Sequence, residues 1–454
     1  MERHPSPEAA EKEPEGDALY RGHDQVFEKR RGAEIDEAPD RDVEAGAHED
    51  EENERRYEDA EEAGRHAGTL ARVAIFSNGH GEDVIGREVA ARLRRNGRRE
   101  LLAFPMVGAG AAYRDAGIPT DGPASDLPAE GFSTLGLGRF ARDLSAGWLG
   151  VQTRQMRFAV RQRGRMDLAI GVGDVVPLVA CRLSRAPFLF VACAKSQRGA
   201  RGHRWNGLET GLMRRSCGVV ARDPETAARF QGCGVPVLGW GNPLVELIDR
   251  APSPEPRRKD GRPVVLLLPG SRRDAGRRVE ELLDVALLLE RRSGDSFDFV
   301  LALAPFNDGD ALAGLVRAGA SIQDEGGSPV RRALLPGGGE VAVRRDGVGA
   351  WAARCDVAIG LAGTANEQAA GLGVPLVTWP TDGVFDARYV RMKRPLFGEA
   401  QVVVPPRPEA AADAILTILS DPRRREAMSR AGRARMAGGT SLRSLVARAE
   451  ELLA

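Results

Sequence analysis

Residues 71–83 read ARVAIFSNGHGED, a short apolar and β-branched run that ends in a turn carrying two glycines. The next stretch, IGREVAARLRR at 85–95, repeats its apolar residues at helical spacing. Strand, glycine-bearing turn and helix is therefore the opening unit, and the same alternation recurs downstream. LLAFPMVG (101–108), DLAIGVG (167–173), PFLFVA (187–192), GVVAR (218–222) and PVLGWG (236–241) read as further strands. Strands that alternate with helical segments predict βαβ units and a parallel sheet.

The pattern breaks at 251–262, APSPEPRRKDGR, where proline, glycine and charge cluster as in a linker. A second series then begins with PVVLLLPGSRR (263–273) and the helical VEELLDVALLLERR (279–292). It continues through the apolar strands FDFVLALAP (297–305), VAIGLAG (357–363) and VPLVTWP (374–380), and closes on amphipathic helices from about residue 408 to 454. A chain of 454 residues exceeds what a single core usually supports. The reading is α/β, with two Rossmann-like doubly wound domains facing a central cleft. They span 69–250 and 263–454, joined by the linker, and the second includes the closing helices.

Charge divides the chain differently. Residues 1–68 hold 23 Asp and Glu against 10 Lys and Arg, with few apolar residues and no period, so a disordered charged tail is expected there. The remainder carries 55 basic against 42 acidic residues, which suits a phosphate-bearing substrate or an anionic leaflet. Aromatic residues make up only 5%, too few for stacking platforms, so nucleic acid is not an expected partner. The five cysteines are scattered without metal-ligand spacing, no metal or cofactor is expected, and reduced thiols fit a cytoplasmic chain. Neither a signal-peptide stretch nor a membrane-length apolar run occurs.

Three turns carry the chemistry. At the carboxyl end of the first strand stand Asn78, Gly79, His80, Gly81, Glu82 and Asp83, where glycines let a ligand approach and a helix start favours anions. Four of the six histidines fall in the tail, which leaves His80 and His203 as neutral-pH bases, and Glu82 or Asp83 could orient or replace His80. Asp83 could instead cap the helix. Gly270, Ser271, Arg272 and Arg273 follow the strand VVLLL, and backbone N–H groups with guanidinium groups suit a diphosphate. Gly363, Thr364, Ala365, Glu367 and Gln368 open a small-residue helix that could hold a phosphate and a ribose diol; tight helix packing would also explain the small residues.

Taken in order, LLLPGSRR, GWGNPLVE (239–246) and AGTANEQAAGLGVPLV (362–377) resemble segments of the GT-B glycosyltransferases, and most closely the lipid-A-disaccharide synthase family. The resemblance covers roughly residues 70–454. It implies a UDP-sugar on the second domain, an acceptor on the first, and inversion at the anomeric centre without a metal. The base would stand near His80, and UDP would leave toward residues 270–273. In ungapped register the family's ribose-binding Glu falls on Gln368, with Glu367 one position earlier; its catalytic Asp falls on Gly173, with Asp174 next to it as a substitute base. The acceptor implied is a lipid or glycolipid, and the sugar of N-acetylglucosamine type.

Residues 131–165 interleave Phe, Leu, Trp and Met with arginine, a composition compatible with peripheral docking on an anionic membrane; an ordinary helix pair with its apolar face in the core would read the same. Two other readings stay open. A UDP-sugar 2-epimerase shares the fold, and residues 202–206, GHRWN, resemble its HRREN motif, although in the wrong half of the chain. A nucleotide-sugar-binding protein without turnover would explain the displaced acids.

Overall fold

The computed structural model describes residues 70–97, 99–123, 148–200, 203–248, 261–271, 274–293, 297–304, 308–324, 331–345, 347–436 and 439–454. The charged segment 1–68 lies outside them, as do Arg272 and Arg273.

The first sheet has six strands: β1 (Arg72–Ser77), β2 (Glu100–Pro105), β3 (Leu168–Val172), β4 (Phe188–Ala192), β5 (Gly218–Ala221) and β6 (Val237–Trp240). They run parallel in the order β2-β1-β3-β4-β5-β6. Alternation along β1 sends Val73 and Ile75 to one face and Ala74 and Phe76 to the other, and both faces are buried. That is why the strands read as unbroken apolar runs.

The second sheet has eight strands: β7 (Val264–Leu268), β8 (Asp298–Ala302), β9 (Ser321–Asp324), β10 (Arg331–Leu334), β11 (Glu340–Arg344), β12 (Val357–Gly360), β13 (Leu376–Thr378) and β14 (Gln401–Val403). Their order is β14-β13-β12-β7-β8-β11-β10-β9, parallel except at the β11-β10-β9 edge. Residues 331–344 form a hairpin that the sequence pattern did not announce, since the arginines of RRALL mask the alternation.

Each sheet reverses its direction of growth once. From β1 the first sheet extends to β2 on one side and β3 on the other; from β7 the second extends to β8 and β12. Loops leaving the carboxyl ends of strands diverge at such a point and open a crevice, which is where open α/β sheets bind ligands. The crevices receive the loops after β1 and β3, and those after β7 and β12.

Five helices frame the crevices or the core beneath them: α1 (His80–Asn96), α2 (Val175–Ser184), α3 (Thr364–Gly371), α4 (Ala387–Phe397) and α5 (Ser441–Leu453). The sequence order places α5 with the second domain, and the structure corrects this. Leu442, Leu445, Val446 and Ala449 are buried among Val73, Ile75, Ile85 and Leu168 of the first domain. Glu246 fixes the crossing by accepting hydrogen bonds from the backbone N of Ser441 at 2.9 Å and of Leu442 at 3.1 Å, which satisfies the free donors of that helix start. Gly439 has φ 88°, and a Cβ there would run into the carbonyl of Trp240. Among the described residues no helix is long and apolar enough to cross a membrane.

Candidate functional site

The two crevices face each other across one cleft of about 290 Å³. Asn78, Gly79, His80, Gly81, Glu82 and Asp174 line it from the first domain, and Gly270, Ser271, Gly363, Thr364 and Glu367 from the second. The walls approach closely at one point, since a Cβ on Gly81 would lie 3.3 Å from Thr364 Oγ1.

α1 begins on Gly79, whose φ of 141° suits glycine, and no side chain caps the helix. A Cβ at that position would come within 2.7 Å of Glu82 Oε2. The glycine therefore leaves room for the Glu82 carboxylate over the helix start. Glu82 is half-buried, and its pKa is pushed up to about 7, first by loss of hydration and then by the charges of Asp174 and Asp83, against a backbone hydrogen bond that lowers it. A carboxylate titrating near neutrality that can reach a cleft can take a proton from a hydroxyl.

Its neighbours are placed differently. Asp174 caps α2, with Oδ1 accepting from Val176 N and Asn78 Nδ2, both at 2.9 Å. Burial raises its pKa, and these two hydrogen bonds work against the rise. Asp174 therefore serves as a structural cap beneath the cleft as well as lining it. His80 is exposed, with its ring against Gly108. Asp83, expected on the acceptor-side loop, instead points beneath it. The residue is 1% exposed and accepts from Ser77 Oγ at 2.6 Å, while Ser77 in turn accepts from Tyr113 at 2.9 Å. Burial pushes the Asp83 pKa up to about 7. The alternative of Asp83 as helix cap also falls, because the helix starts at His80 and its N-cap position is Gly79.

On the second domain, the helical phase of α3 separates two neighbouring residues. Glu367 turns into the cleft, whereas Gln368 turns away and donates from Nε2 to the carbonyl of Leu244 at 3.1 Å. Gln368 is thereby removed from the cleft lining, and Ala365 packs against the apolar cluster under β7 and β12. Glu367 does not stand free. Arg222 of the first domain ion-pairs with it, Asn242 Nδ2 donates at 3.4 Å, and Lys393 of α4 lies 3.6 Å away. Burial alone would raise its pKa, but Arg222 and Lys393 outweigh that and hold it down at about 2. This ion pair ties the two domains together at the cleft floor.

Arg222, Lys393, Lys195, Arg278 and His203 also line the cleft, and no strand or turn pattern in the sequence marked the four cations. Arg278 is buried, paired with Asp274 and bonded to the Asp382 carbonyl at 2.9 Å, beside the Gly270–Ser271 turn. Lys195 pairs with Glu209 and lies 5.4 Å over the Trp205 ring. The result is a cleft rich in cations, with Glu82 and Asp174 as the carboxylates of the first wall. Among the described residues no group of three or more His, Cys, Asp or Glu side chains could hold a metal ion.

No protein-family model matches the chain. Lipid-A-disaccharide synthase from Thiobacillus denitrificans is 27% identical over 367 residues, covering 76% of this chain and 90% of that protein. MurG from Acinetobacter baumannii superposes with a TM-score of 0.50 at 17% identity, over 84% of this chain and 99% of its own. A UDP-GlcNAc 2-epimerase from Neisseria meningitidis, solved with UDP-GlcNAc bound, gives 0.51 at 12% identity over 85% and 100%. At such identities the two structures speak for the fold and the synthase for the chemistry. Two Rossmann-like sheets set crevice to crevice, together with that relative, identify the chain as a glycosyltransferase of the GT-B fold.

Proposed function

We propose that the chain moves a sugar of N-acetylglucosamine type from a UDP-sugar to a lipid or glycolipid acceptor, with inversion and without a metal. The observation that carries this reading is the opposition of two chemically unlike walls in one cleft. The first presents Glu82, a carboxylate able to exchange a proton near neutrality; the second presents the Gly270–Ser271 turn, the start of α3 at Thr364, and Arg278. Backbone N–H groups and fixed cations favour a diphosphate, and Arg272 and Arg273 are proposed to add to them. A sugar held between the walls has its leaving group on one side and the deprotonated acceptor on the other, the arrangement for a single in-line displacement.

In this reading Glu82 is the base, Asn78 and Asp174 shape its loop, and His80 flanks the acceptor entrance. Arg154, Arg157 and Arg161 are exposed along the helix Trp148–Arg161, while Val151, Gln155 and Ala159 are buried. That row of guanidinium groups supports peripheral contact with an anionic inner leaflet. Purified chain incubated with UDP-N-acetylglucosamine and a panel of glycolipids tests the proposal. UDP release that depends on the acceptor is expected. Epimerisation without acceptor would replace it with the isomerase reading, and binding without turnover with that of a sugar-nucleotide carrier.

A further inference from the structure

His203 belongs to the loop between β4 and the helix Gly207–Met213 and lines the cleft from the first domain. Its backbone is held on both sides: the N–H donates to the Ala200 carbonyl at 2.7 Å, and its carbonyl accepts from Ser196 N at 3.4 Å. On the ring, Nε2 is out of contact with water and has no hydrogen-bond partner. An imidazole nitrogen buried without a partner is costly, and it is found where a partner arrives later.

The surroundings say what that partner is. Burial, then the charges of Lys393, Arg222 and Lys195, hold the His203 pKa down to about 2, with Glu367 opposing them. The ring is uncharged at physiological pH, so it offers a hydrogen bond without an ion pair. A neutral hydroxyl is the group it suits. Lys393 and Glu367 belong to the second domain and Arg222 and Lys195 to the first, which puts His203 where the domains meet, in the cleft that Glu82 also lines.

We infer that His203 recognises the transferred sugar, its Nε2 hydrogen-bonding a ring hydroxyl of the UDP-sugar and so selecting a hexose in the cleft over empty UDP. The inference rests on the proposed UDP-sugar chemistry of this site.

Calorimetry on the full chain with UDP and, separately, UDP-N-acetylglucosamine tests it, using wild type, His203→Ala and His203→Gln. Removing the ring should weaken UDP-N-acetylglucosamine about tenfold and leave UDP within about twofold. His203→Gln, whose amide offers a donor and an acceptor, should recover part of the loss. Equal weakening of both ligands would mark a structural role and overturn the inference, as would unchanged sugar-nucleotide affinity in the alanine variant. In both cases the wild type still binds UDP and the proposed function stands. A wild-type chain that binds neither ligand removes the proposed function, and this inference with it.

Discussion

Two acidic regions face the same cleft and carry opposite charge states. Glu82 and Asp83 at the head of α1 lose their hydration and find few compensating partners, so both titrate near 7. Glu367 at the head of α3 is buried as Asp83 is, yet Arg222 and Lys393 hold it ionised down to about pH 2. Depth therefore does not decide the charge of a carboxylate here; the cations within reach do. One region keeps a proton that can be exchanged, and the other keeps a permanent charge that joins two domains. The effects on stability run in opposite directions. The folded form holds extra protons on Glu82 and Asp83 between about pH 4 and 7, so their contribution to stability declines as pH rises through that window. Glu367 contributes above its unfolded value of 4.5, and its contribution is lost as pH falls toward 2.

The contrast breaks most visibly in turnover. Glu82→Gln should lower kcat/KM by about 10² to 10⁴ while UDP affinity stays within about twofold, and the wild-type rate should rise with pH and level off above about 7. A glutamine variant with wild-type turnover would make Glu82 a mere buried acid. Next in size, Arg222→Met strands a buried carboxylate and should destabilise the chain by about 3 to 5 kcal/mol in urea unfolding; adding Glu367→Gln should return part of that loss. Additive losses would show that the pair does not act as a unit. Asp83→Asn should act in the reverse sense, stabilising by about 2 to 4 kcal/mol at pH 8 and by close to nothing at pH 4, because the aspartate is already protonated there. A pH-independent difference would place Asp83 in the ionised class with Glu367.

Much of this is legible in the sequence, and for identifiable reasons. β1, its glycine turn and α1 announce themselves because a doubly buried strand must be apolar and a chain reversal over a ligand needs glycine. For the same reason the turns after β7 and β12 can be read as walls of a site. What stays hidden depends on rotation and on long-range pairing. The helix TANEQAAG has no apolar stripe to set its phase, so which of Glu367 and Gln368 enters the cleft cannot be told from the residues alone. Arg222 ends an ordinary strand pattern and Lys393 sits in an ordinary basic helix; only their meeting at Glu367 of α3 makes each of them its partner. The destination of α5 is equally hidden, since an amphipathic helix fits either sheet.

That destination governs how the molecule is made. The core under β1 and β3 includes Leu442 and Leu445, so during synthesis the first-formed sheet keeps an open apolar flank until residues 441–453 emerge. The amino-terminal half must wait, partly uncovered, while all of the carboxyl-terminal half is being translated. A stop codon placed just before Ser441 would spare every residue that lines the cleft and still leave that flank bare, exposing a chaperone or protease target at the opposite end of the gene from the damage.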